Sequence, residues 1–361
     1  MTAGRAATVA QLLCERTCVI AYLGASVTEQ RDGFRPALHR CLVERSAQPH
    51  RAVNAGIGGV GSVTAVFLLD QLVLAHRPDV CVIELTTGDS GSEANLRRLG
   101  AVAEGILRKL LSVGCVCIVV HGYRGDGSGG RHAEAMRTWD RVAAHYGVPT
   151  IDVHGLVASQ GGATRDCWYR DGVHTTADGA RHVAAWLCNA TLELGPAGHG
   201  VRGPAPLHAD RFERTRLVPV VSTMAAVPDW CSRGTFRFVH QWTGLEPGNP
   251  VRMECDGDIV GMLVVAGPDS GVLRIETARG VERIVAFDQW CHYDRLSSVV
   301  FGAQWPLRAV SVDVTDDAID RSLTRRPISG APQSKSRLRA IAWMVRDDAG
   351  DAPAGLAEVR S

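Results

Sequence analysis

The sequence predicts an α/β domain with a parallel sheet, followed by an all-β domain. From residue 17 to about residue 194, near-continuous apolar runs of strand length alternate with segments of helical period. This alternation is typical of a parallel sheet whose two faces are covered by helices. Short β-rich segments separated by turns follow the Gly- and Pro-rich stretch 195–207, and they are typical of a sandwich or jelly roll. The predicted division is therefore a domain at 1–194, a linker at 195–207, a β domain at 208–346 and a flexible tail at 347–361.

Five apolar runs are predicted to form the strands of the first domain, and helices are predicted between and after them. The strands are expected at Cys18–Leu23, Arg51–Asn54, Asp79–Leu85, Cys115–His121 and Pro149–Val153. The helices are expected at Thr28–Arg45, Ser62–Ala75, Glu93–Leu111, Arg131–Tyr146 and Thr176–Leu192. Ligands of such sheets bind beyond the carboxyl ends of the strands, so the turns that follow the strands are the places to search for a site.

The second domain is predicted from eight short β-rich segments. They are Thr235–Trp242, Val251–Cys255, Ile259–Ala266, Val272–Thr277, Arg283–Phe287, Ser298–Phe301, Ala309–Val314 and Arg339–Val345. The polar segment Asp316–Ser336 is predicted to be a loop. Trp290 and Tyr293 lie in a stretch rich in aromatic and polar residues; packing against the first domain is favoured over stacking on a sugar.

Composition and charge exclude several classes of function. The formal net charge is +1 without a long basic run, so no nucleic-acid partner and no anionic membrane partner are expected. No apolar run reaches the roughly 20 residues of a membrane span. The N-terminal stretch lacks the apolar core of a signal peptide, and none of the 11 cysteines forms a C-x-x-C pair. These features predict a cytoplasmic protein with reduced thiols and without a metal site.

The turn after the first predicted strand places a serine in a chemically useful position. Small residues, Gly24 and Ala25, connect the apolar run to Ser26, and a helical segment follows. This arrangement brings a serine hydroxyl to the carboxyl end of the sheet and its N–H to a helix N-terminus, where negative charge is stabilised. An ordinary turn with a serine N-cap has the same local pattern.

A carboxylate and a histidine precede the last predicted helix of the first domain. Asp171 stands three residues before His174, in a loop that leads into the helix. From such a loop the imidazole can face a serine on a neighbouring strand end, while Asp171 orients the ring. A surface loop with an Asp turn is the alternative, because this spacing alone is weakly specific.

Taken together, these blocks resemble the SGNH (GDSL-type) hydrolase superfamily over about residues 17–194. The resemblance implies a three-layer α/β/α, flavodoxin-like domain with the strand order 2-1-3-4-5 and no cofactor. It implies Ser26 as the nucleophile and Asp171 and His174 as its partners. The glycine-rich turn that follows Asn54 resembles the family's second block, in which Gly59 and Ser26 would supply oxyanion-hole N–H groups.

The sequence departs from the family's pattern at two places. Ala25 stands where the family has an Asp that mainly stabilises the turn, and Gly88 stands where the family has an Asn that donates to the oxyanion. Loss of one such donor costs about 3–4 kcal/mol of transition-state stabilisation. Either a backbone N–H near Gly88 or a side chain such as His121 substitutes, or the oxyanion hole is weakened; a capping or structural role is the equal alternative for His121. Asp89 and Asn54 are further candidate contacts for the substrate or the oxyanion.

The literal Gly-Asp-Ser of this chain is a false match. It comprises Gly88, Asp89 and Ser90, and it follows the third predicted strand rather than the first. Because the glycine-rich turn should come after the nucleophile, and here precedes Ser90, the order of the blocks favours Ser26.

The function predicted from these residues is hydrolysis of a small O-acyl or O-acetyl ester through an acyl-enzyme. The β domain resembles carbohydrate-binding sandwiches in pattern only, which favours a glycan or other small-molecule ester as the partner. The same triad also serves acyltransferases and thioesterases, and a binding protein with a degenerate site is the alternative from a different class.

Overall fold

Five parallel strands form the central sheet of the first domain. In the computed structural model, which describes residues 8–91, 96–195, 204–224, 233–236, 240–302, 306–328 and 336–347, the sheet order is β2-β1-β3-β4-β5. The strands are β1 (Val19–Gly24), β2 (Arg51–Gly56), β3 (Val80–Glu84), β4 (Val116–His121) and β5 (Thr150–Asp152). The predicted fold class and strand order are confirmed. All four strand pairs are parallel, so the carboxyl ends lie at one edge of the sheet.

Helices cover both faces of this sheet. They are α1 (Val9–Glu15), α2 (Ser26–Glu29), α3 (Phe34–Ser46), α4 (Ser62–Leu72), α5 (Thr86–Asp89), α6 (Leu99–Ser112), α7 (Gly129–His145), α8 (Val153–Ala158), α9 (Gly162–Trp168) and α10 (Ala177–Glu193). Helices α1, α3 and α10 contribute to the apolar core on one face, and α4, α6 and α7 to the core on the other.

The helix predicted at Thr28–Arg45 is divided into α2 and α3. The chain leaves the helical conformation at Gln30 (ψ 127°), and the extended Gly33 precedes α3. Gln30 donates its side-chain N–H to the Thr175 carbonyl (2.8 Å), near the start of α10. The division therefore leaves Ser26 on a single helical turn that is tied to a distant segment, a contact that local periodicity does not reveal.

The second domain contains two antiparallel sheets, which confirms the predicted sandwich. Its strands are β6 (Thr215–Pro219), β7 (Arg233–Phe236), β8 (His240–Leu245), β9 (Val251–Glu254), β10 (Asp258–Ala266), β11 (Val272–Thr277), β12 (Gly280–Val285), β13 (Arg295–Val300), β14 (Ala309–Thr315) and β15 (Leu338–Arg346). One sheet has the order β13-β10-β15-β8-β7, with β6 also paired to β15, and the other has the order β12-β11-β14-β9. The single strand predicted at Thr235–Trp242 is two paired strands, and β6 was not predicted.

The β13-β10-β15 side of the sandwich packs directly on the first domain. Every residue of β10 and β15 is buried. Met262 and Trp343 face the other sheet, whereas Leu263 and Met344 join the apolar core that includes α4 and α6. The position of β13 is fixed by a 2.7 Å hydrogen bond between the hydroxyls of Thr64 in α4 and Ser298. The second domain is thereby held beside the strand ends of the first.

Parts of the predicted linker and tail lie outside the described residues, namely 196–203 and 348–361. The domain boundaries at 194 and 207 stay a prediction. Within the described ranges, no helix is both long and apolar enough to cross a bilayer.

A buried carboxyl group lies beneath the strand ends. Glu84 closes β3, is buried, and accepts hydrogen bonds from the N–H (3.3 Å) and hydroxyl (2.9 Å) of Thr87. Burial raises the pKa of Glu84 to about 7, against the hydrogen bonds that favour its ionised form. The folded state therefore holds a proton that the unfolded chain releases near pH 4.5. The stabilisation that this bound proton gives the folded state is complete at low pH and is lost as the pH rises through 7.

We expect Glu84→Gln to remove this pH dependence. Between pH 4.5 and pH 8, the free energy of unfolding of the wild type should fall by about 3 kcal/mol relative to that of the variant, because Glu84 ionises and the amide does not. Denaturant unfolding at both pH values measures this difference. Glu134→Gln, at an exposed position on α7, is the control and should show a pH-independent difference. Parallel curves for wild type and Glu84→Gln would contradict the assignment.

Candidate active site

A cavity of about 590 Å³ lies at the carboxyl ends of the parallel strands, and both domains line it. The first domain contributes the turns that contain Ser26, Gly59, Thr87 and His174. The second domain contributes β13 and the segment that precedes it. Of these residues, Ser26, Gly59 and His174 are predicted from the sequence, whereas the contribution of the second domain depends on how the domains dock.

Ser26 lies at the start of α2, directly beyond β1. The Ala25 N–H donates to the Glu84 carbonyl of the neighbouring strand (3.3 Å), which fixes the turn in front of the serine. Ala25 is buried, and it stands at the position where the family's first block has an Asp. The serine hydroxyl is thereby held at the cavity without that carboxylate.

The imidazole of His174 lies between Ser26 and Asp171. Its Nε2 is 2.7 Å from the Ser26 Oγ, and its Nδ1 is 2.8 Å from the nearer carboxylate oxygen of Asp171. A neutral ring with its proton on Nδ1 can donate to Asp171 and accept from the serine hydroxyl. The structure thus brings together the three residues that the sequence singled out, in an arrangement suited to proton transfer from serine.

Asp171 is held in its ionised form. One carboxylate oxygen accepts the backbone N–H groups of Val173 (3.1 Å) and His174 (2.8 Å). Although partial burial opposes ionisation, the hydrogen bonds from the backbone and imidazole of His174 lower the pKa of the Asp171 carboxyl. The carboxylate therefore stays negative at neutral pH beside the ring that it orients.

Two backbone N–H groups near Ser26 are available for a negatively charged oxygen. Within the described chain, neither the Ser26 N–H nor the Gly59 N–H donates to another protein group. Gly59 has a φ of +77°, a conformation that glycine adopts without strain. The neighbouring Gly58 N–H instead donates to the Glu29 carboxylate (2.7 Å), which ties the glycine-rich turn after β2 (the glycine turn) to α2, the helix that begins with Ser26.

The N–H of Gly88 is not available for this purpose, contrary to the prediction. It donates to the Leu85 carbonyl (3.0 Å) within the turn of α5. A Cβ atom at this position would lie 2.2 Å from the Val60 carbonyl oxygen, so a side chain here would collide with the glycine turn. Gly88 lines the cavity, but it offers neither a side-chain donor nor a free N–H.

The other predicted contacts lie outside the cavity lining. The Nε2 of the buried His121 lies 2.8 Å from the Asp140 carboxylate. The side-chain oxygen of the exposed Asn54 accepts a hydrogen bond from the Gly56 N–H (3.1 Å).

Asp89 is buried and accepts hydrogen bonds from Ser62 and Trp139. Its role is structural, because it fixes the start of α4; burial raises its pKa to about 6. Ser90 is buried and donates to the Thr87 carbonyl (3.1 Å), consistent with its rejection as nucleophile.

The second domain adds residues that sequence analysis did not assign to the site. Arg295 opens β13 and reaches the glycine turn, where a Cβ atom on Gly59 would lie 3.0 Å from the arginine Nη1. Trp290 and Tyr293 also line the cavity. The Arg325 guanidinium covers one face of Trp290 (4.3 Å), whereas Tyr293 is 45% exposed. Tyr293 is therefore open to a ligand, and Trp290 is partly covered by its own domain.

Comparisons with known proteins support this description of the fold. The family model described as "GDSL-like Lipase/Acylhydrolase family" matches residues 21–182. A solved two-domain esterase (CEX) active on acetylated mannans, co-crystallised with mannopentaose, has a TM-score of 0.70 and 17% identity and covers 94% of this chain and 93% of its own. A second structure of a two-domain esterase (CEX) active on acetylated mannans has a TM-score of 0.68 and 16% identity, with 92% of each chain covered.

No curated protein sequence matches the chain. Similarity at 16–17% identity shows the fold, and here it extends over both domains. The family match begins within β1 and ends within α10, so it includes all the first-domain residues that line the cavity. Over residues 21–182, this chain therefore matches the GDSL-like lipase/acylhydrolase family.

Proposed function

We propose that the protein is a serine esterase that removes an acyl group, with acetyl favoured, from a glycan. The observation that supports this proposal best is the continuous hydrogen-bonded chain from the Ser26 hydroxyl through His174 to Asp171, at 2.7 and 2.8 Å. Because this chain opens onto a cavity beside two free N–H groups, the site has a nucleophile, a base and a place for an oxyanion.

In the proposed reaction, Ser26 Oγ attacks the carbonyl carbon of the ester while its proton passes to His174 Nε2. The carbonyl oxygen becomes negative and is bound by the N–H groups of Ser26 and Gly59. Collapse of this intermediate breaks the bond to the alcohol oxygen, which takes the proton from His174, and the acyl group remains on Ser26. Water then repeats the sequence with His174 as base, which releases the acid and restores the serine.

The cavity suits a polar substrate larger than the acyl group itself. Its volume of about 590 Å³ is that of a drug-sized ligand site, and its walls carry arginine and aspartate side chains as well as the exposed ring of Tyr293. An exposed aromatic ring such as that of Tyr293 can stack on the apolar face of a sugar. The resemblance in fold to an esterase active on acetylated mannans adds support to a glycan ester as the substrate class.

The decisive test is acetate release from acetylated manno-oligosaccharides, together with turnover of p-nitrophenyl acetate. We expect both activities, and rapid quenching should trap an acetyl adduct on the peptide that contains Ser26. If neither substrate yields acetate or an adduct, the proposal is overturned. If the acyl group appears mainly on an added alcohol, the enzyme is an acyltransferase rather than an esterase.

Replacement of Tyr293 with Ala should affect only the larger substrate. We expect kcat/KM for acetylated manno-oligosaccharides to fall about 5-fold, because stacking on an aromatic ring contributes about 1 kcal/mol. Turnover of p-nitrophenyl acetate should stay within about 3-fold of wild type, within normal mutational scatter. Tyr293→Phe keeps the ring and should keep both activities. Equal losses for both substrates would show that Tyr293 does not contact the glycan.

A further inference from the structure

We propose that Arg295, supplied by the second domain, stabilises the oxyanion of the acyl-transfer reaction and compensates for the donor that Gly88 lacks. This inference rests on the proposed function, since it concerns the charge that develops when Ser26 attacks an ester. It assigns to the β domain a part in the chemical step as well as in binding.

Arg295 lies beside the candidate oxyanion site. The Arg295 Nη1 is 3.0 Å from the place of a Cβ atom on Gly59, so the guanidinium lies within about 6 Å of the Gly59 nitrogen by covalent geometry. That nitrogen carries one of the two free N–H groups of the candidate oxyanion site. A positive charge this close to a developing negative charge is favourable, and more so in a cavity from which the substrate displaces water.

The Arg295 guanidinium is held in place, and its hydrogen-bonding capacity is not fully used. The Arg295 side chain is only 7% exposed; it forms an ion pair with Asp288 and donates to the Ser297 hydroxyl (3.2 Å). Its buried Nε has no hydrogen-bond partner among the described residues. Asp288 is 48% exposed, so solvent screens the carboxylate more than it screens the buried guanidinium.

The other arginines among the described residues of the cavity lining are engaged elsewhere. Arg124 is paired with Asp126 and donates to the Thr87 carbonyl, and Arg325 lies over the Trp290 ring. Arg295 is in addition fixed relative to the first domain, because the Thr64–Ser298 hydrogen bond locks β13 against α4. Its distance from the glycine turn therefore does not depend on a flexible loop.

The test compares Arg295→Met, Arg295→Lys and wild type with p-nitrophenyl acetate. For the Met variant we expect kcat to fall about 100-fold with KM within about 3-fold, because the lost interaction forms in the transition state. The Lys variant, which keeps the charge, should lose less than about 10-fold. Arg283→Met, which removes an exposed arginine paired with Asp317 elsewhere in the β domain, is the matched control and should retain wild-type turnover.

A boronic acid inhibitor provides the readout that a structural role would not change. Its tetrahedral adduct on Ser26 carries a negative charge, so its inhibition constant should rise in Arg295→Met by about the same factor by which kcat falls. Loss of kcat with unchanged boronate affinity would overturn the inference, as would a KM effect alone. If the Met variant does not fold, the Lys variant and Arg295→Gln decide by the same comparison.

The two proposals fail in distinguishable ways. If wild-type activity does not depend on Ser26, the proposed function is wrong and Arg295 has no oxyanion to stabilise. If activity depends on Ser26 but Arg295→Met retains kcat within about 3-fold, the esterase proposal stands and the assignment of Arg295 is overturned.

Discussion

Ser26→Ala is expected to lower kcat for p-nitrophenyl acetate by about 10⁴-fold or more, because it removes the atom that forms the acyl-enzyme. The remaining activity should come from substrate binding and from the free N–H groups at positions 26 and 59, which the alanine leaves in place. The small change at the start of α2 should preserve the fold, since the Ala25 N–H still bonds to Glu84. Steady-state kinetics and labelling by a fluorophosphonate measure the loss.

Ser90→Ala is the matched control, because Ser90 belongs to the literal Gly-Asp-Ser of the chain. Its hydroxyl is buried and bonds to the Thr87 carbonyl (3.1 Å), so its removal should reduce stability slightly and leave kcat within about 3-fold. If Ser90→Ala abolishes labelling and Ser26→Ala does not, the alignment of the family's blocks to this chain is wrong. Double substitution of Ser26 and His174 should cost little more than Ser26→Ala alone, since the two act as a unit.

Much of the Ser26 side of the site could be predicted from the sequence, because its geometry follows from topology. Parallel strands bring their carboxyl ends to one edge, so the turns that follow the neighbouring strands β1 and β2 must lie side by side. That rule places Ser26 near Gly59 without knowledge of any single contact. His174 lies beyond β5, at the far end of the strand order, so its place beside Ser26 is implied by the family resemblance of its block and not by the topology. Local apolar runs located the strands within a few residues of their observed bounds.

The predictions about Gly88, His121 and Asn54 depended on contacts that the sequence does not specify. Whether the Gly88 N–H is free depends on the turn of α5, which commits it to Leu85. Whether His121 faces the cavity depends on Asp140, across the packing of α7 on β4. Spacing along the chain identifies the strand end on which such a residue stands, but not the partner that takes up its polar atoms.

Arg295 could not be predicted because it reaches the site only through domain docking. The apolar runs of β10 and β15 predict strands, but not that one face of the sheet packs on α4 and α6. The unbroken apolar runs of β10 and β15 do indicate that a further layer covers this sheet, since a strand in a two-layer sandwich is expected to alternate apolar with polar residues. Continuous burial of both faces indicates a third layer, which here is the first domain.

Asp171→Asn is expected to lower kcat/KM by about 10²–10³-fold while the protein stays folded. The amide cannot favour the imidazolium that forms when Ser26 is deprotonated, and it can stabilise the wrong tautomer of His174. The effect should be below the largest known for such a substitution, because the Asp171 side chain is 42% exposed and solvent supplies part of the stabilisation. Stopped-flow acylation with p-nitrophenyl acetate measures the step directly.

A matched control distinguishes this role from a merely structural one. Although partial burial opposes ionisation, hydrogen bonds from His174 lower the pKa of the Asp171 carboxyl, so the wild-type side chain is negative at neutral pH beside the ring. Asp178→Asn, which breaks the exposed pair with Arg181 on α10, removes a carboxylate that does not touch the ring and should leave the acylation rate unchanged. Retention of the wild-type acylation rate by Asp171→Asn would mean that the carboxylate does not act on His174, and that Ser26 and His174 work as a dyad.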